Sequence, residues 1–436
     1  MRRVWILLGL IFCMTTSGAF AQGYKKISLD DAIKMGASNN LDIKNAKLDV
    51  EIAKNNIKAA NRLQNPSINT FFNLGNAGHG NPQEIGLSQT IEILKRDPRK
   101  KLAKSNLDLT NQNVEFTKFD RRMDIRESYV DLVASKTILI ALEEQHKLLQ
   151  ELLNIAQKRF DAGASPEMEV IQAKIAMNQM VTQINTAKVN VKTARFEFNK
   201  ALNIKLDSPV LYDAQEEVLP QDVSFIELFT PSPNKTLPAF SEISELALNN
   251  RYDIKIAKQQ IDVSQKNLTL VLRQLVPDVA VQGGYLYQGS QSSGTGQFLN
   301  GAYVGASLVN IPLLYSYRPE IKNAKLQIEQ SQLNYNSVHN KATQTLDEAY
   351  ESFATAQMNL NFYNDNLLKD SSEMIRLSKR SYQVGKANLT TLIVMQQYYR
   401  SIVVGYTQAL TNYYDCWIDF LREVNNEEFM LHEEKP

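Results

Sequence analysis

Asn39-Asn40-Leu41-Asp42-Ile43-Lys44-Asn45-Ala46-Lys47 returns, with one residue of slippage, as Asn249-Asn250-Arg251-Tyr252-Asp253-Ile254-Lys255-Ile256-Ala257-Lys258. From Asp42 and Asp253 onward the two stretches stand 211 residues apart, and Pro66 meets Pro277 at the same offset. Pro98-Arg99 and Ala103-Lys104 match Pro319-Glu320 and Ala324-Lys325 at 221, and Gly163 matches Gly385 at 222. The register therefore changes between Pro66 and Pro98, and the polar, turn-rich stretch 290–300 is the natural place for the extra residues, since insertions collect at loop tips. The chain reads as one unit built twice, over 22–203 and 238–428. A connector over 204–237, holding Pro209, Pro220, Pro231 and Pro233, separates the copies, and 429–436 is left as a tail.

Composition fits a folded chain: 43% of the 436 residues are hydrophobic and 22% charged, which excludes collagen-like, disulfide-scaffold and mostly disordered classes. The net charge of +1 gives no reason to expect nucleic acid as a partner. Arg2 and Arg3 precede an apolar run from Val4 to Met14 and the small-residue end Ala19-Phe20-Ala21, the pattern of a signal peptide over 1–21. Bulky Phe12 before Cys13 argues against a lipidated N-terminus. Removal of the leader leaves Cys416 alone, so an exported chain must be stable without an internal disulfide. Beyond the leader no segment has the apolar length of a membrane helix; the best, Leu268 to Val281, is broken by Arg273, Gln274, Pro277 and Asp278. If the chain crosses a membrane, it does so as strands.

Proline and glycine spacing predicts the long helices. No proline falls between Pro98 and Pro166, nor between Pro319 and Pro436, which allows helices over about 99–162 and 320–384 of roughly 95 Å each. Leu346, Phe353, Leu360, Leu367 and Met374 recur every seven residues beside Ala342, Ala349, Ala356 and Tyr363, a ladder that Asp370 interrupts. A second ladder, Leu389, Gln396, Val403, Leu410, Trp417 and Val424, runs beside Leu392, Tyr399, Tyr406, Tyr413 and Phe420. Such seams are coiled-coil packing. Helices over 166–202 and 388–428 complete two hairpins, turning at Phe160-Asp161-Ala162-Gly163 and Tyr382-Gln383-Val384-Gly385 with glycine as the left-handed cap.

Ahead of each long helix the period drops to two. Ile85, Leu87, Ile91 and Ile93 alternate with polar or small neighbours, as do Val279, Val281, Tyr285 and Tyr287, which predicts strand pairs within 67–93 and 278–313. Their length and two-faced pattern suit an outer-membrane barrel. One chain supplies only four such strands, and an open edge in lipid leaves backbone groups unpaired at several kilocalories per mole each. Eight strands, from two chains, give an interior filled by side chains; twelve, from three, leave a lumen. The expected fold is therefore mainly α with a membrane β-barrel portion: long helical hairpins forming a trimeric α-barrel below a 12-stranded transmembrane barrel in outer-membrane lipid.

With these residues in view, the chain resembles the TolC family of outer-membrane efflux channels. The likeness rests on the duplicated plan, on the two aromatic-x-x-glycine tips, and on Gly305 to Pro312, which looks like the strand handing over to the second long helix. The resemblance implies a homotrimer that a periplasmic adaptor joins to an inner-membrane pump. It implies adaptor docking at the tips, here Phe160, Gly163, Ala164, Ser165 and Pro166 on one hairpin and Tyr382, Gly385, Lys386, Ala387 and Asn388 on the other. It also implies a periplasmic constriction beside the tips. Acidic residues that some members carry after the second tip match Thr391 and Val394, so a ring of aspartates is not expected, and Glu169 is the carboxylate left as a candidate lining residue.

No enzyme constellation is legible, and no cofactor is expected. His79, His146, His339 and His432 are scattered, Cys416 has no partner at metal-ligand spacing, and Gly283-Gly284 and Gly294-Thr295-Gly296 do not open a helix after a buried parallel strand. A passive efflux duct for small molecules is the expected function. The exit channel of a type I secretion system would share its architecture, and a periplasmic coiled-coil scaffold without a pore would need the hairpins but not the strands.

Overall fold

The computed structural model describes residues 23–72, 83–205, 207–216, 236–287, 301–363 and 367–426. The expected leader, the insertion at 290–300, residues 217–235 of the connector, and the tail lie outside them, as do His79 and His432. The protein is mostly helical and divides into two compact units, one of residues 1–41, 118–247 and 344–436, the other of 42–117 and 248–343.

The chain opens with strand β1 (Gly23–Ile27) and helix α1 (Leu29–Asn39), whose N-cap Ser28 accepts a hydrogen bond from the amide of Asp31 at 3.3 Å. Helix α2 (Leu41–Ala60), strands β2 (Ser67–Phe72) and β3 (Gln83–Ile91), and helices α3 (Arg96–Asp161) and α4 (Glu167–Ala201) follow. The 66 residues of α3 extend about 100 Å at 1.5 Å each. Strand β4 (Val210–Ala214) lies in the connector. Then come α5 (Phe240–Asn250), α6 (Tyr252–Arg273), β5 (Asp278–Tyr287), β6 (Gly301–Val309), α7 (Arg318–Phe362), α8 (Leu368–Gln383) and α9 (Leu389–Val424).

In the first unit the apolar ladders form the packing. On α9 every rung from Leu389 through Gln396, Val403, Leu410 and Trp417 to Val424 is buried. Leu346, Phe353 and Leu360 of α7 are fully buried, and the Phe353 ring stacks on Tyr413 at 5.1 Å and Phe420 at 5.6 Å. β1 pairs in parallel with β4, an association of distant segments that no local pattern announces. Lys136 ties the pair to α3, its ammonium donating to the carbonyl of Ala214 at 2.9 Å.

Over 320–384, where one continuous helix is expected, the described residues form α7 and α8, with π-helical backbone at Tyr363 and Leu367; residues 364–366 lie outside the described residues. The Tyr363 hydroxyl lies 2.6 Å from where a side-chain carbon at Gly405 would sit, so that glycine makes room for the ring.

The second unit carries an antiparallel sheet in the order β2-β3-β5-β6. Its central pairing joins β3 to β5, with Gly86 opposite Gly284, and β2 and β6 form its two edges. Pairing fixes the faces, because cross-strand partners share one. One face gathers Ile68, Phe72, Ile85, Leu87, Ile91, Val279, Val281, Tyr285, Tyr287, Val304 and Leu308, mostly exposed. The other gathers Ser67, Asn69, Glu84, Gly86, Ser88, Thr90, Gln282, Gly284, Tyr303, Gly305 and Ser307, with Phe71, Ala280, Leu286 and Val309 the apolar exceptions. At its base Asp278, 2% exposed, accepts from the Lys95 ammonium at 2.8 Å and from the Asn310 amide at 2.9 Å.

Candidate functional site at the hairpin tips

Both hairpins turn by the same backbone device. At the first, the amide of Gly163 donates to the carbonyl of Phe160 at 2.8 Å and that of Ala164 to Arg159 at 2.8 Å. At the second, Gly385 donates to Tyr382 at 3.0 Å and Lys386 to Ser381 at 2.9 Å. This pair of bonds closes a helix only if the capping residue is left-handed, and Gly163 and Gly385 have φ of +68° and +75°. The restart of α9 is capped by Asn388, whose Oδ1 accepts from the Thr391 amide at 2.8 Å and its hydroxyl at 2.7 Å. Pro166 precedes α4 without a side-chain cap.

The two tip aromatics, equivalent in the motif, differ in place: Phe160 is 39% exposed and Tyr382 fully buried. The Tyr382 hydroxyl donates to Glu169 Oε2 on the other hairpin at 3.0 Å. Arg159 donates to the Tyr382 carbonyl at 2.9 Å and lies 4.7 Å from its ring centroid, a cation–π contact. Burial, then the Glu169 carboxylate, push the Tyr382 phenol up to about 12, against a smaller lowering by Arg159, so it stays a donor across physiological pH. Lys379 to Glu151 at 2.8 Å and Thr390 to Gln172 at 3.2 Å add further links, over a core that includes Leu152, Ala156, Ala173, Leu389 and Leu392.

The geometry thus brings Glu169 and Tyr382 into contact. Thr391 is exposed and engaged in the cap, and Val394 is half-buried. Gly163, Ala164, Pro166, Gly385, Lys386 and Asn388 are exposed, while Ser165 and Ala387 are half-buried. The cross-hairpin partners Arg159, Glu151, Lys379, Gln172 and Thr390 carry no periodic or motif signal; only the packing of the two hairpins selects them. Among the described residues no cluster of His, Cys, Asp or Glu has a metal-binding arrangement, and no helix is long and apolar enough to cross a membrane.

A family model described as outer membrane efflux protein matches residues 32–203 and 243–401, and the chain belongs to that family. It is an outer-membrane protein of Gram-negative type serving efflux, and the resemblance to the TolC family is borne out. Nodulation protein T of Rhizobium leguminosarum bv. trifolii is 22% identical over 386 residues, covering 85% of this chain and 79% of that one. Outer membrane efflux protein BepC of Brucella suis biovar 1 is 21% identical over 371 residues, covering 80% and 75%. The crystal structure of the CmeC outer membrane channel of Campylobacter jejuni superposes with a TM-score of 0.70 at 16% identity, over 91% of this chain and 85% of that one, a likeness of fold.

Proposed function

We propose that the protein is the passive outer-membrane duct of a tripartite efflux system, a homotrimer whose three four-stranded sheets close one 12-stranded barrel continued by an α-helical tunnel into the periplasm. The observation that carries this is the sheet: it has an exposed apolar face, a polar and small opposite face, and two edges with no strand partner among the described residues. Lipid tolerates no such edges, and three copies remove them while leaving a lumen. Small-molecule cargo passes without chemistry, driven by an inner-membrane pump through a periplasmic adaptor. The adaptor docks at Phe160, Gly163, Ala164, Ser165, Pro166, Tyr382, Gly385, Lys386, Ala387 and Asn388. Glu169, Thr391 and Val394 border the periplasmic constriction, where the Tyr382–Glu169 contact holds the hairpins together.

Planar-bilayer recording tests the proposal. The purified protein is expected to conduct, and removal of 278–313 to abolish both conductance and heat-stable trimers. A shortened chain that still assembles and supports efflux would mean that the hairpins alone carry the function, as in a scaffold.

A further inference from the structure

Charge is almost absent from the sheet. Residues 67–91 contain a single charged side chain, Glu84, and residues 278–317 a single one, Asp278. Asp278 is buried and neutralised by Lys95 at the base. Glu84 therefore stands as the one acidic group of these segments without a cation beside it among the described residues, and it lies on the polar face.

Its position is built. Tyr303 of β6 is paired with Gly284 of β5, which is paired with Gly86 of β3. The Tyr303 side chain crosses both glycines and donates its hydroxyl to the Glu84 carboxylate. A side-chain carbon at Gly86 would sit 2.6 Å from that hydroxyl, and one at Gly284 would sit 3.0 Å from the ring and 2.4 Å from the Ile85 carbonyl. Only glycine at both positions lets the ring lie flat against the sheet. A flat ring takes little width from whatever the face encloses, and its hydroxyl fixes the carboxylate without neutralising it, because a phenol donates a hydrogen bond but no charge.

We propose that Glu84, held by Tyr303 across the Gly86–Gly284 slot, is a cation-preferring site in the barrel lumen. This rests on the trimeric pore proposed above, which repeats the carboxylate three times at one level. Rings of carboxylates favour small cations and repel anions where few other charges compete. The ligands are hydrated monovalent cations and cationic cargo, met in transit rather than held.

The test is reversal potential in a potassium chloride gradient across a planar bilayer at pH 8, using the full trimer. Wild type is expected to prefer potassium over chloride several-fold, and Glu84→Gln to bring the ratio toward one. Gly86→Ala is expected to lift the Tyr303 hydroxyl and lower unitary conductance, with conductance recovering when Tyr303→Ala is added. Conducting wild-type channels whose preference survives Glu84→Gln would overturn the site while leaving the pore intact. A wild-type protein that never conducts would remove the pore and the site together.

Discussion

The Tyr382 hydroxyl reaches from one hairpin to the Glu169 carboxylate of the other at 3.0 Å, and Tyr382 is the only one of the two motif aromatics that is buried. Phe160, its counterpart, has no hydroxyl to place and stays exposed, so the two tips are chemically unequal despite matching turns. In Tyr382→Phe the packing is kept and the bond is lost, a change of about 1 kcal/mol because water re-solvates the half-exposed carboxylate. Amide exchange at 160–166 and 382–388 is expected to quicken about fivefold, the factor that corresponds to about 1 kcal/mol. Unchanged exchange would show that the bond does not hold the hairpins.

Gly163 and Gly385 need their left-handed backbone, and nothing lies within 4 Å of the side-chain carbon either would acquire. Gly163→Glu and Gly385→Glu therefore meet strain rather than collision, about 1–2 kcal/mol each. Both variants are expected to insert as heat-stable trimers and to lose efflux through failed docking. Unimpaired efflux in both would count against the tips as the docking surface.

Asp415 gives the pH dependence its sign. It lies on α9, and one carboxylate oxygen meets no hydrogen-bond donor among the described residues. Burial, then the charges of Asp131, Glu127 and Asp419, push it up to about 7. A carboxyl whose folded pKa is raised stabilises the fold most fully at low pH, and the contribution fades as pH rises from about 4 through about 7. With solvent screening at this half-buried site the swing is about 1–2 kcal/mol. Asp415→Asn is expected to flatten the melting temperature between pH 5 and pH 8 and to raise it most at pH 8. Parallel curves for wild type and variant would exclude this group.

The Lys95–Asp278 pair at the base of the sheet is buried on both sides, with side chains 14% and 3% exposed. Lys95→Met strands a carboxylate, and breaking such a pair costs about 3–5 kcal/mol. Lys95→Met with Asp278→Asn removes both charges and is expected to lose far less. Gel mobility of the purified protein against temperature reads the difference; equal losses in the single and double variants would show that the pair is not coupled.

Local pattern made much of this fold legible. Alternation at Ile85, Leu87 and Ile91 marks β3 because a strand with one exposed apolar face has period two. The ladder from Leu389 to Val424 marks the buried seam of α9 for the same kind of reason. What was not legible depends on partners far along the chain. β1 is recognisable only through β4, nearly two hundred residues on, and the room for the Tyr363 ring is made by a glycine on α9. At the tips, glycine reveals the turns through φ, whereas the link between Tyr382 and Glu169 exists only once the two hairpins are packed.

The most direct test is the mass of the purified, detergent-solubilised protein, with bound detergent subtracted. A chain that brings four strands and two bare edges to the membrane is expected to have the mass of three copies. A stable monomer of one chain's mass, with β2 and β6 protected from exchange by its own segments, would contradict the account.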